Sequence, residues 1–182
     1  MKIEISKYIY DKCVDFAHER IGGSSKLYQY RGESNKNKQV EDVIIGTCGE
    51  WGAYRFLREH GYEVKKPDMN IYENARKSFS ADLTDGDALF HVKSQSVISR
   101  QRYGSSWLFQ RSDALVRAPE PEEYLVLTSV DGREVEILAV IDANLICKHD
   151  LWGECKVPRY RHSKVALYLD QIPKKHWRKF ES

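Results

Sequence analysis

Ile5, Ile9, Cys13, Phe16 and Ala17 recur every three to four positions, which predicts an amphipathic helix over residues 3–20, ended by Gly22-Gly23. Residues 22–38 are polar and turn-rich and read as a loop. Ala53, Phe56 and Leu57 form the apolar stripe of a second helix within residues 39–60. Gly46 and Gly49 interrupt the beginning of that helix in this reading, Glu50 stands near its start and Gly61 ends it. Tyr62-Glu63-Val64 begins a first strand, and residues 67–78 form a linker.

Two short runs rich in β-branched and aromatic residues follow, Phe79–Thr84 and Ala88–Ser94. Asp85-Gly86-Asp87 between them predicts a hairpin, because Gly tolerates positive φ and Asp tolerates the left-handed region. Alternation along a strand puts His91, Lys93 and Gln95 on one face and Phe90, Val92 and Ser94 on the other. Trp107, Leu108 and Phe109 fit a core helix beginning near Ser105. Residues 123–130 and 134–141 read as strands around an Asp131-Gly132 turn, and Asp142 caps a short helix after them. A final strand is expected at 165–170, and a short basic helix after Pro173. The fold class is α/β, with a mixed central β-sheet flanked by helices in one domain. Its parts are an N-terminal helix and loop (1–38), a core (40–145) and a C-terminal loop, strand and basic tail (146–182).

Composition narrows the function without choosing it. Charged residues are 31% and hydrophobic ones 41% of 182, ordinary for a globular domain with a real core. The net charge of +2 gives no overall argument for nucleic acid, so any such contact must come from local clustering. No apolar run approaches bilayer length and no leader pattern opens the chain, so the expectation is a cytoplasmic protein without membrane contact. Cys13, Cys48, Cys147 and Cys155 contain no C-x-x-C pair, which argues against a disulfide scaffold.

A His, a Lys and a Gln in a row on one strand face need a reason. Glu50 on a helix, Asp82 on one strand and Lys93 on the next can converge on one point, and that set suits a divalent metal and a phosphodiester. The chain here resembles the PD-(D/E)XK nucleases, which include restriction endonucleases and Holliday-junction resolvases. The residues carrying the resemblance are Gly46, Gly49, Glu50, Phe56, Leu57, Gly61, Tyr62, Val64, Asp82, Val92, Lys93 and Ser94, within roughly residues 40–140. His91 stands where the family has a second carboxylate, and Ala81 where it often has Pro. The resemblance implies a restriction-endonuclease-like fold, Mg²⁺ or Mn²⁺ as cofactor, DNA as substrate and a possible homodimer. It also implies Glu50 and Asp82 as metal ligands, Lys93 orienting the attacking water and Gln95 holding the lysine or a phosphate oxygen.

His91 leaves alternatives open. It can be a ligand favouring Mn²⁺, a proton carrier or a bystander. Asp87 can supply the missing carboxylate, or the site can be a decayed one that binds DNA or a protein partner without cutting. A literal Pro67-Asp68 pair lies too far upstream of Lys93 for a simple hairpin, so Asp82 is preferred. The segment after Gln95 interleaves Arg100, Arg102 and Arg111 with Tyr103, Ser105 and Ser106, a composition suited to phosphates and bases. Lys174, Lys175 and Arg178 in the tail are further candidates, as are Lys26, Arg31, Lys36 and Lys38 beside Tyr28 and Tyr30. Cys147, His149, Cys155 and His162 form a weaker zinc candidate, because structural zinc favours tighter, paired spacing.

Overall fold

The computed structural model describes residues 1–23, 35–71, 81–178 and 180. In chain order the elements are β1 (Lys2–Glu4), α1 (Lys7–Gly23), α2 (Lys36–Glu59), β2 (Leu83–Asp85), β3 (Ala88–Ser96), α3 (Val97–Tyr103), β4 (Ser106–Gln110), α4 (Ala114–Arg117), β5 (Glu123–Asp131), β6 (Glu134–Asp142), α5 (Ala143–Lys148), β7 (Trp152–Glu154) and β8 (Lys164–Tyr168). A mixed five-stranded sheet has the order β1-β6-β5-β3-β2, and a three-stranded sheet has the order β4-β8-β7. Within the larger sheet β3 and β5 run parallel, and the other neighbours are antiparallel.

Both predicted hairpins form, with Gly86 at φ +57° and Gly132 at φ +54° in their turns. Asp142 caps α5 by accepting a hydrogen bond from the Asn144 N–H at 2.8 Å.

Helix α2 departs from the sequence reading. It begins at Lys36, capped by the Asn35 side chain, and runs unbroken through Gly46 and Gly49. Glu50 therefore sits in its second half, away from the positive end of the helix dipole. The glycines are packing devices. A Cβ on Gly49 would lie 1.9 Å from Ser94 Oγ and 2.9 Å from Thr128 Oγ1, and one on Gly52 would lie 2.4 Å from Val135 Cγ1. The helix rides on β3, β5 and β6 at closer range than any side chain permits.

Helices α1 and α2 cover one face of the large sheet. Phe56, Leu57, Phe90, Val92, Val126, Val130 and Val135 belong to the core on that side. The other face is covered mainly by the small sheet. Trp107 and Phe109 from β4 and Val165 and Leu167 from β8 pack there on Leu125, Leu127 and Ile141. Residues 106–110 are a strand, not a helix: Trp107 and Phe109 point inward, and Leu108 between them is exposed. The Trp107 indole N–H donates to the Thr128 carbonyl at 3.3 Å, beside the register shift between Leu127 and Thr128.

Three smaller expectations also change. Residues 2–4 pair with β6 as a strand before α1 begins. Tyr62-Glu63-Val64 joins no sheet, although the Glu63 N–H donates to Asp85 Oδ2 at 3.0 Å. The tail after Pro173 makes one 3-10 turn, Lys174–His176, and Trp177 then bridges to Ile141. Of the readings in the 22–38 loop, Lys26, Tyr28, Tyr30 and Arg31 lie outside the described residues, as does most of the 67–78 linker. No helix among the described residues is long and apolar enough to cross a membrane.

Candidate active site

The hairpin builds the centre of the site. Among the described residues β2 pairs with β3 from Asp85↔Ala88 to Leu83↔Phe90. Past that rung Asp82 Oδ2 accepts the Val92 N–H at 2.8 Å, so a carboxylate occupies the place of the next ladder bond. The amide and carbonyl of one strand residue point to the same edge. The Leu89 N–H bonds toward β5, to the Glu122 carbonyl, so residues 90, 92 and 94 turn their backbone groups to the β2 side. The Val92 carbonyl therefore faces the same edge as Asp82.

Glu50 approaches from the helix. Gly49 sits over Ser94 and Thr128, and Gly52, three residues on, sits over Val135 of β6. A step of ~100° per residue turns position 50 to the flank opposite Gly52, toward the β3–β2 edge. Glu50 is half-buried there, and its charge is felt at the Cys13 thiol of α1.

The side chains of β3 lie where alternation places them. His91, Lys93 and Gln95 face the small sheet. The Lys93 ammonium lies 5.2 Å from the centre of the Phe109 ring, partly covered by it. Gln95 donates to the Gly104 carbonyl at 3.0 Å and accepts the Ser106 N–H at 3.2 Å. It ties the start of β4 to the site strand.

His91 Nε2 lies 3.1 Å from Glu123 Oε1, with both residues 8% exposed. Glu123 Oε2 in turn accepts the Glu120 N–H at 2.7 Å. Glu123 escaped the sequence reading because a carboxylate opening a strand after Glu122 looks like ordinary strand-end polarity. Only the parallel pairing of β3 with β5 brings it to His91. Glu123→Ala is expected to lower stability by about 2 kcal/mol, since it leaves a buried imidazole and a backbone N–H unpaired. Glu123→Gln should recover part of that loss, and denaturant unfolding of both variants checks the difference.

Asp87 is exposed in the hairpin turn, at the far end of β2 from Asp82. Asp68 accepts the Asn70 N–H at 2.9 Å in a local turn. Among the described residues no three of His, Cys, Asp and Glu gather closely enough to hold a metal ion. Asp82 and the Val92 carbonyl are two hard oxygens on the same side of β3, of the kind Mg²⁺ or Mn²⁺ takes together with water and substrate phosphate. The predicted cluster is otherwise divided: Glu50 belongs to α2 on the Val92–Ser94 face of the sheet, and Lys93 projects from the opposite face onto Phe109.

The candidate DNA contacts separate into two groups. Arg100 donates to Glu136 at 2.5 Å and to Ser105 Oγ at 3.1 Å, so both residues fasten α3. Arg178 lies over the rings of Tyr124 and Tyr62, at 4.5 and 5.4 Å, and its N–H bonds to the Val140 carbonyl. Arg102 and Arg111 are exposed, as are Lys174 and Lys175, while Tyr103 and Ser106 are half-buried. Lys36 and Lys38 lie in the first turn of α2, and Lys38 pairs with Asp42 at 2.6 Å.

The zinc candidates are dispersed. The Cys147 thiol donates to the Leu115 carbonyl at 3.5 Å, Cys155 is buried, His149 packs on His176 at 4.6 Å between ring centres and His162 is exposed. Compared with known protein families, curated proteins and solved structures, the chain matches none of them.

Proposed function

We propose that the chain is a metal-dependent DNA endonuclease built on a restriction-endonuclease-like core. The observation that carries the reading is the edge of β3, where Asp82 is bonded to the Val92 amide, the Val92 carbonyl turns the same way and Lys93 follows in the chain. The order of elements supports it: helix α2, hairpin β2–β3, a crossover containing helices, then β5 parallel to β3. Asp82 and the Val92 carbonyl would hold Mg²⁺ or Mn²⁺, with Glu50 of α2 as the further carboxylate that the reading requires to reach in. When bound, such an ion lowers the pKa of a water and neutralises charge on the phosphate.

The remaining work belongs to the chain. Lys93 carries its ammonium beside Phe109, on the face of β3 away from α2, and would have to leave that ring and turn round the β3 edge to reach the substrate phosphate and its attacking water. Gln95 fixes the strand beneath it. Phe109 limits water on the side of the small sheet. The His91–Glu123 pair holds β3 to β5 from below and keeps the imidazole turned from the Asp82 edge. Cutting both strands of a duplex needs two such sites, so a homodimer is the expected working form.

A second reading has its own observation. Lys93 rests on Phe109 and His91 on Glu123, as in a decayed site that binds without cutting. Plasmid, four-way-junction and single-stranded DNA incubated with Mg²⁺, Mn²⁺ or EDTA separate the two. Metal-dependent cutting supports the endonuclease. Binding to any of the three with no cutting in either metal leaves the decayed site as the function.

A further inference from the structure

The basic residues are unevenly distributed. Residues 97–117 and 152–168 together carry eight of the 29 Lys and Arg side chains but only two of the 27 Asp and Glu, a local net of +6. The rest of the chain has a net charge of −4. These two segments lie far apart in sequence and are joined by the pairing of β4 with β8 and β8 with β7. The fold therefore brings two segments of +3 each side by side around one small sheet, with Arg100 already paired to Glu136 and Lys164 on the sheet itself.

The gathering is contiguous. Lys156 Nζ donates to the Tyr103 carbonyl at 3.0 Å, and Arg102 lies 5.2 Å from the Tyr103 ring centre. Arg111 donates to the Arg161 carbonyl at 3.1 Å. Arg159 and Lys164 lie 4.6 and 4.4 Å from the centre of the Tyr160 ring, and Lys156 lies 4.7 Å from that of Tyr168. Because Trp107, Phe109, Val165 and Leu167 point into the core, Leu108 and Lys164 stand on the outer face, and Tyr168 on the same side is buried beneath Lys156, its hydroxyl accepting the Lys156 N–H and donating to the Glu154 carbonyl. Glu154 is the acid within this group, and Arg161 pairs with it at 3.4 Å.

We infer that the outer face of the β4–β8–β7 sheet and the 155–163 loop bind the sugar-phosphate backbone of nucleic acid. Lys156, Arg159, Arg161 and Lys164 join the previously suspected Arg102 and Arg111. The inference rests on the reading that the chain acts on nucleic acid, but not on its cutting. Charge complementarity selects a polyanion. The tyrosine rings select phosphates over bases, because cations already lie over them and little ring surface remains for base stacking. Contact is thus independent of base sequence, and a duplex, with its higher charge density, binds more tightly than a single strand.

The test is fluorescence anisotropy of the full chain with labelled 20-mer duplex and single-stranded DNA, in EDTA, across a salt series. Arg159→Glu/Lys164→Glu is compared with Lys7→Glu/Lys12→Glu on α1. Wild type is expected to bind both probes with a log–log salt slope of about −4 for the duplex. The double reversal on the sheet should raise Kd at least about tenfold near 0.1 M salt and lower the slope by about two. The α1 pair should bind as wild type. The milder Arg159→Gln/Lys164→Gln variant, with a thermal melt beside it, covers the case of a misfolded double reversal. Unchanged affinity in both sheet variants overturns the inference while leaving the nuclease reading in place. Absence of salt-dependent binding by wild type overturns it too, and the nuclease reading falls with it only if no DNA is cut.

Discussion

Lys93→Met and Asp82→Asn are each expected to reduce the proposed metal-dependent DNA cleavage by about a thousandfold or more, with both proteins still folded. The substitutions isolate charge from structure. Asn keeps an oxygen that can accept the Val92 N–H, now at 2.8 Å from Asp82, so β3 retains its edge bond while the carboxylate charge is gone. Met keeps an unbranched apolar stem against Phe109 and removes only the ammonium that rests over the ring. Loss of a partly exposed cation–π contact costs about 0.5–1 kcal/mol, a small shift in melting temperature. Supercoiled-plasmid nicking followed in Mg²⁺ and Mn²⁺, with thermal melts in parallel, reads both quantities. Wild-type cutting rates in both variants would place the chemistry elsewhere in the chain.

The second large effect concerns stability. Gly49→Ala is expected to cost about 3 kcal/mol, at the upper end for one inserted methyl, because the added Cβ meets atoms on two strands at once. Ser94 Oγ lies 1.9 Å from it and Thr128 Oγ1 2.9 Å, and these two hydroxyls are themselves hydrogen-bonded at 3.0 Å. Neither can withdraw without breaking that bond or moving β3 or β5. Gly49→Ala/Ser94→Gly removes the nearer obstacle and should regain about 1 kcal/mol relative to the sum of the single changes. Urea denaturation of the four proteins of this cycle checks it. Additive costs would mean that α2 shifts as a body instead of pressing on Ser94.

Those glycines also show where local reasoning stops. A glycine inside a helix is locally unfavourable, so Gly46 and Gly49 looked like interruptions; for Gly49 the compensating contact is with strands some 45 and 80 residues further along the chain, whereas a Cβ on Gly46 would meet nothing within 4 Å. The hairpins were legible because their signal is local: Asp-Gly at the turn and alternation on either side. The shared face of His91, Lys93 and Gln95 followed from the same alternation. Trp107-Leu108-Phe109 was misread as helix because three residues cannot separate a period of two from one of 3.6. The β1 strand, the Glu123 partner of His91 and the gathered charge of β4 and β8 all depend on long-range pairing. The candidate site was thus half visible. Its strand could be read, whereas its buried support and the basic surface could not.

The β4–β8 pairing has a consequence for the chain during synthesis. Ser106 pairs with Tyr168 and Gln110 with Lys164, so β4 waits more than fifty residues for its neighbour. At about 5–20 residues per second a nascent chain holds Trp107 and Phe109 uncovered for several seconds. Throughout that interval the sheet edge they belong to is open to any other unfinished copy. Leu108 is the apolar residue on the outer side of that strand, and Arg102 and Arg111 stand at its two ends. They act as gatekeepers, setting like charges against each other when two growing chains meet. The positive charge that would hold a phosphate backbone in the finished protein would already have kept the half-made one apart from its neighbours.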